Sequence, residues 1–253
     1  MTRWQWLAAA VLVVVFAVAL APARILTQLV NEQTPQGVEV RLLNPTGTLW
    51  RGTADMIVNQ YPAMRVAWRL QPASLLRLMV DVELDIVGSG FSMRGQLQKP
   101  FGAGLQFVDG SARANATALQ VWLAPYDIRP SGELTLANLA ISELELTQTG
   151  ALAGLASSGN LTWSGGDISY RLAGRSTQTT LPPLTGILRT QDQLPHLEVT
   201  EKDKNLPLIV GHLTARSSIR IGITQGFTRL AGRPWPGSEP DHKVVLEVEE
   251  PLI

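Results

Sequence analysis

The 253-residue chain contains no cysteine. That excludes disulfides, thiolate metal sites and cysteine nucleophiles, while leaving the compartment open. Histidine is nearly as scarce: His196, His212 and His242 stand far apart in sequence, without the spacing of a metal-ligand set. No cofactor is called for. Charged residues make up only 17% of the chain, against about 25% in ordinary soluble proteins. Lys+Arg and Asp+Glu both total 21, so there is no basic excess to draw a phosphate backbone, and nucleic acid is not an expected partner. The G-x-S-x-G elbow, the H-E-x-x-H pair and the Walker phosphate loop are also absent. Asp81, Glu83 and Asp85, like Glu143 and Glu145, alternate with apolar residues. That pattern suits acids on the wet face of a strand better than the facing pair a glycosidase needs. A non-enzymatic protein is expected.

What the chain does have is one long apolar run, Trp4 to Ala23, with no charge between Arg3 and Arg24. As a helix it would reach about 30 Å, the thickness of a bilayer's hydrocarbon core. Trp4 and Trp6 stand at its start, where indoles favour the membrane–water interface. Leu7, Val11, Leu12, Val13, Val14, Val15, Phe16, Val18 and Leu20 supply the lipid-facing bulk. A cleaved signal peptide is the rival reading, with Ala21-Pro22-Ala23 or Ala19-Leu20-Ala21 as its small-residue site. The expected organisation is a membrane anchor over residues 1–24, a polar juxtamembrane connection over 25–36 and a β-rich body over 37–253.

The body reads as all-β. Met64, Val66, Trp68 and Leu70 alternate with Arg65 and Arg69, and Phe91, Met93 and Leu97 alternate with Ser92, Arg94 and Gln96. Rows at Ala112–Ala118 and Leu213–Ile223 follow the same period of two. One apolar and one polar face predict an extended, curved, mostly antiparallel sheet, punctuated by turns such as Gly88-Ser89-Gly90 and Gly165-Gly166-Asp167. Sixteen prolines oppose long helices after the anchor. Short helices are expected at Pro72–Leu78, with proline suited to the first turn, and at Thr117–Leu123, in competition with a strand end.

Gly47-Thr48-Leu49-Trp50-Arg51-Gly52 resembles Gly159-Asn160-Leu161-Thr162-Trp163-Ser164-Gly165. Either the body is two similar halves, 37–150 and 151–253, or tryptophan recurs beside glycine because the aromatic ring shields a bare strand.

Several blocks in order carry a resemblance: the anchor, Gly47 to Ala54 with Trp50 and Gly52, and Val66 to Pro72 with Trp68, leading into Leu75-Leu76. Later come Gly159 to Gly174 with Trp163, and Leu181-Pro182-Pro183-Leu184-Thr185-Gly186. Together they resemble the type II secretion system protein N family, the general secretion pathway "N" component of diderm bacteria. The resemblance implies a non-enzymatic accessory component, anchored by one helix in the inner membrane with a short cytoplasmic N-terminus and a periplasmic body. Implied partners are other type II secretion subunits, in the inner-membrane platform or the outer-membrane channel. Trp50 and Trp68 are expected in the core, and exposed strand edges could recruit a partner chain. The competing reading is an envelope lipid or glycolipid bridge, with an apolar concave face cradling acyl chains.

Overall fold

The computed structural model describes residues 20–32, 40–59, 61–144, 155–172, 175–214 and 218–251. The predicted anchor up to residue 19 lies outside the described residues; among those described, no helix is long and apolar enough to cross a membrane. Sixteen strands follow in order. They are β1 (Val40–Gly47), β2 (Arg51–Val58), β3 (Met64–Leu70), β4 (Met79–Gly88), β5 (Phe91–Pro100) and β6 (Leu105–Ala114). Next are β7 (Ile128–Pro130), β8 (Leu134–Leu144), β9 (Ala156–Trp163), β10 (Gly166–Leu172) and β11 (Arg175–Leu181). The last are β12 (Leu184–Gln191), β13 (Leu194–Glu201), β14 (Pro207–Leu213), β15 (Ser218–Thr224) and β16 (Val244–Pro251). Thirteen of them form one sheet, and β11-β10-β7 form a second, small one. Every pairing is antiparallel.

The large sheet is a meander in chain order, interrupted where β7, β10 and β11 leave it. Its register explains the period-two pattern. One cross-strand row runs Ala54, Val66, Ile86, Met93, Ala112, Leu136, Leu161, Gly186, Val199, Ile209, Ile223, Leu246. It crosses from β2 to β16 without one polar side chain. At about 4.8 Å per strand it spans roughly 50 Å. A slip of one residue in any strand would break it, so burial of this face fixes the register.

Three covers lie on the apolar face. Helix α1 (Arg24–Glu32) brings Ala23 and Leu26 against Ala54, Val66 and Trp68. Helix α2 (Pro72–Leu75), a single turn begun by proline at the end of β3, is not one of them. Helix α3 (Ala116–Leu123) packs Ala118 and Leu119 on Ala114, while Trp122 meets Phe91 edge-on at 5.1 Å between ring centroids. The small sheet and helix α4 (Gln225–Leu230) bring Ile168, Leu181, Phe227 and Leu230 onto Trp163, Leu184, Val199 and Leu208. The α4 cap is fully buried Thr224, whose hydroxyl accepts from the Phe227 N–H and donates to the carbonyls of Pro207 and Leu208.

Three expectations change. Residues 25–32, read as part of a polar connection, belong to an amphipathic helix (Arg24–Glu32) docked on the sheet. The alanine row does not stay extended to Ala118. Asn115 ends β6 by accepting the N–H groups of Thr117 and Ala118 on its side-chain oxygen, a capping contact that converts the chain to helix. The row from Leu213 to Ile223 is two strands, β14 and β15, and not one.

Tryptophan does shield glycine, but through a different residue. A methyl added at Gly52 would meet the Trp68 ring at 2.5 Å and the Thr46 carbonyl at 2.5 Å. The Gly52→Ala variant should therefore lose roughly 1–3 kcal/mol in urea denaturation through overpacking. Gly211→Ala, where the nearest atom is 3.7 Å from the added methyl, should stay within about 0.5 kcal/mol of the parent.

Candidate functional site

The face opposite the apolar row is polar, and the sheet's cleft lies there. Cross-strand pairing places Thr53, Ala67, Asp85 and Arg94 in one row and Arg51, Arg69, Glu83 and Gln96 in the next. These residues, with Thr46 and Asp109, line a cleft of about 820 Å³ reaching from β1 to β6. A cleft that crosses six neighbouring strands on one face makes that face concave. A second one, about 470 Å³, continues over β5, β6 and β8 between Arg94, Ser111, Arg113 and Thr135. The expected apolar concave face is thus reversed: the hollow side is polar, and the apolar side carries the covers.

Two of the acids in this cleft have structural partners. Glu83 holds Arg69 at 3.2 Å and Asp85 holds Arg94 at 3.0 Å, both across neighbouring strands. Exposed pairs of this kind contribute at most about 1 kcal/mol each. Their geometry is that of cross-strand complementarity, with each acid aimed at a cation.

Farther along the same face the structure joins two histidines that the sequence holds apart. A row runs Arg189, His196, His212, Arg220, Glu249 across β12 to β16. The imidazoles stack with centroids 6.4 Å apart and planes 15° from parallel. Arg189 is paired with Glu198, and Arg220 sits between Glu247 and Glu249 at 3.1 and 3.0 Å. Among the described residues no group of three or more potential ligands converges on a metal position.

The sheet edges are the second candidate feature, and they differ. At β1 the carboxamide of Asn31 donates to the Leu42 carbonyl at 3.2 Å and accepts the Leu42 N–H at 2.9 Å, imitating a neighbouring strand. The Ala23 N–H donates to the Gly47 carbonyl, and the Leu49 N–H to the Ala21 carbonyl. Pro45 and a register shift between Leu43 and Thr46 blunt this edge further. At the other edge β16 pairs, among the described residues, only with β15, and Val244, Leu246 and Val248 are exposed beside Ile219 and Ile221.

The motif residues are dispersed along this architecture. Trp68 and Trp163 are buried on β3 and β9, and each indole N–H donates to a backbone carbonyl, of Leu49 and Ser131 respectively, at 3.1 Å. Trp50 is half-buried in the bend between β1 and β2, so the local counterpart of Trp163 is Trp68. Gly47 and Gly52 face each other across the β1–β2 hairpin, and Pro72 opens α2. Pro182 and Pro183 turn the chain from β11 into β12, where Leu184 is in the core and Gly186 in the apolar row. Leu20, of the predicted anchor set, is exposed. The other anchor residues lie outside the described residues.

An all-antiparallel meander, apolar on one side and hollow and polar on the other, defines a sheet-scaffold class of protein. The family profile described as "Type II secretion system (T2SS), protein N" matches residues 38–234, and the chain belongs to that family. It is accordingly a type II secretion system component, from a family of accessory components not known for catalysis. Searches of curated proteins and of solved structures give no match.

The His196 imidazole is held below its ordinary pKa of 6.5, first by burial and then by the charges of Arg189 and His212, with Glu198 opposing. The unfolded chain therefore takes up this proton at higher pH than the folded one. Stability should be flat above about pH 6.5 and fall as the pH drops through and below it. Denaturation midpoints against pH should show that fall, and His196→Gln should reduce it.

Proposed function

We propose that the protein is an inner-membrane-anchored, non-enzymatic accessory component whose periplasmic body works by docking another secretion subunit along β16. The observation that carries this reading is the asymmetry of the two edges: the chain caps β1 with its own Asn31, while no strand among the described residues pairs with the outer side of β16. Val244, Leu246 and Val248 offer an apolar strip, and Glu247 and Glu249 line the other face of the strand beside Arg220. A complementary occupant is an extended segment alternating apolar residues with lysine or arginine, added as a further strand. A second copy fits poorly, because antiparallel self-pairing brings acidic side chains against acidic side chains. Head-to-tail stacking of copies meets the capped β1 edge.

Family membership and the apolar run Trp4–Ala23 support the anchored, envelope-facing arrangement. The lipid-bridge alternative needs an open apolar cradle. Here the hollow face is charged, and α1, α3 and the small sheet pack on the apolar one.

Photoreactive residues at Leu246 and Val248 should crosslink to secretion subunits in intact cells, while one at Arg41 on β1 should not. Leu246→Lys with Val248→Lys should abolish those crosslinks and lower secretion, with stability changed by about 0.5 kcal/mol or less per site. Crosslinks concentrated at Arg41, or unaffected by the lysines, would reject the edge.

A further inference from the structure

At one end of the sheet the chain exposes apolar side chains without a core to explain them. The β3–β4 connection is Gln71-Pro72-Ala73-Ser74-Leu75-Leu76-Arg77-Leu78, and the β5–β6 connection is Phe101-Gly102-Ala103-Gly104. These two connections are neighbours: Met79 pairs with Pro100, and the Phe101 N–H donates to the Leu78 carbonyl at 2.9 Å. Leu76 is 90% exposed, Leu78 68% and Phe101 68%. Leu78 holds φ at +53°, a left-handed backbone that leucine rarely adopts, and the turn it makes leaves the side chain outside. Arg77 and Lys99 flank the apolar residues, and neither connection contains an acid.

The position of this tip says what it meets. The apolar run Trp4–Leu20 joins the described body at Ala21 to Ala23, which bond to Gly47 and Leu49 at the end of β1. Gly47 lies in the row Gly47, Gly52, Trp68, Leu84, Gly95. From that row β4 and β5 continue toward the same end, from Leu84 to Met79 and from Gly95 to Pro100. That is about 17 Å at 3.3 Å per residue. The exposed leucines and Phe101 therefore project beyond the point where the apolar run joins, at the same end of the sheet. Apolar side chains ringed by cations are what a membrane interface selects, with aliphatic and aromatic groups at the acyl boundary and Arg or Lys among the headgroups.

We propose that the tip formed by Leu75–Leu78 and Phe101 is a second membrane contact, dipping into the headgroup region of an anionic phospholipid bilayer. With an anchor at residues 4–20 it makes a two-point attachment that fixes how the large sheet sits on the membrane, with the Gly88-Ser89-Gly90 turn at the far end of β4 and β5. That setting rests on the anchored reading above; the lipid contact of the tip rests on its own side chains.

Because the chain lacks cysteine, a single introduced cysteine can carry an environment-sensitive fluorophore alone. The full chain is reconstituted in phosphatidylglycerol-containing vesicles, with the probe at Leu76→Cys, Phe101→Cys, Ser89→Cys or Val13→Cys. Quenching by doxyl-labelled lipids and a blue-shifted emission report contact. Probes at 76 and 101 should be quenched several-fold more strongly than the probe at 89. Quenching at 13, with 76 and 101 as unquenched as 89, would overturn the tip contact and leave the anchor standing. Quenching at 76 and 101 but not at 13 would keep the tip contact and remove the anchor. A water-like signal at 13, 76 and 101 would remove both. Leu76 is so exposed that its replacement disturbs no core contact, and far-UV circular dichroism verifies the fold of each variant.

Discussion

Backbone hydrogen bonding at the sheet edges is the constraint on which this structure depends. Every internal strand of the large sheet has a hydrogen-bonded neighbour on both sides, but an open sheet leaves two edges, and each is a template for another chain. The protein treats them unequally. At β1 it spends a helix, an asparagine side chain and a proline on closing the edge. At β16 it leaves an alternating strand of valine, leucine and glutamate with one side unpaired among the described residues. A sheet protein that closes one edge with its own residues and keeps the other open is suited to adding one strand in one place.

Between the edges the division of labour is set by register. The apolar row from Ala54 to Leu246 makes one face a continuous core surface, and the three covers bury it in sections. The opposite face is left to cross-strand ion pairs and the cleft. This arrangement explains how a chain with few charges carries a charged hollow: the cross-strand pairs Arg69–Glu83, Asp85–Arg94, Arg189–Glu198 and Arg220–Glu249 all fall on one side of one sheet. It also accounts for the glycines, since Gly52, Gly95 and Gly110 leave room for the Trp68 and Phe107 rings lying on the apolar face.

Much of this was legible in the sequence. Period-two alternation at Met64–Leu70 and Phe91–Leu97 reported the strands directly, because a half-buried strand must alternate. The family resemblance survived because it rested on ordered blocks spread along the body. What was hidden is long-range. Nothing local announces that His196 meets His212, or that Asn31 reaches Leu42, because both depend on which strands become neighbours. Ala112–Ala118 misled because alanine is compatible with either period; the deciding residue was Asn115, whose capping contact ends the strand. The Trp50–Trp163 match misled as well. Both tryptophans stand near glycines in sequence, but it is Trp68, reaching across the hairpin, that shares the buried, hydrogen-bonded setting of Trp163.

The central claim is that one edge is closed within the chain and the other is filled by a partner. Hydrogen–deuterium exchange on the full protein, alone in vesicles and within the assembled secretion complex, addresses it directly. Peptides covering Val244–Pro251 should exchange readily in the protein alone and become protected on assembly, while those covering Val40–Gly47 should change little. Protection that appears at Val40–Gly47, with Val244–Pro251 exchanging as before, would contradict the account.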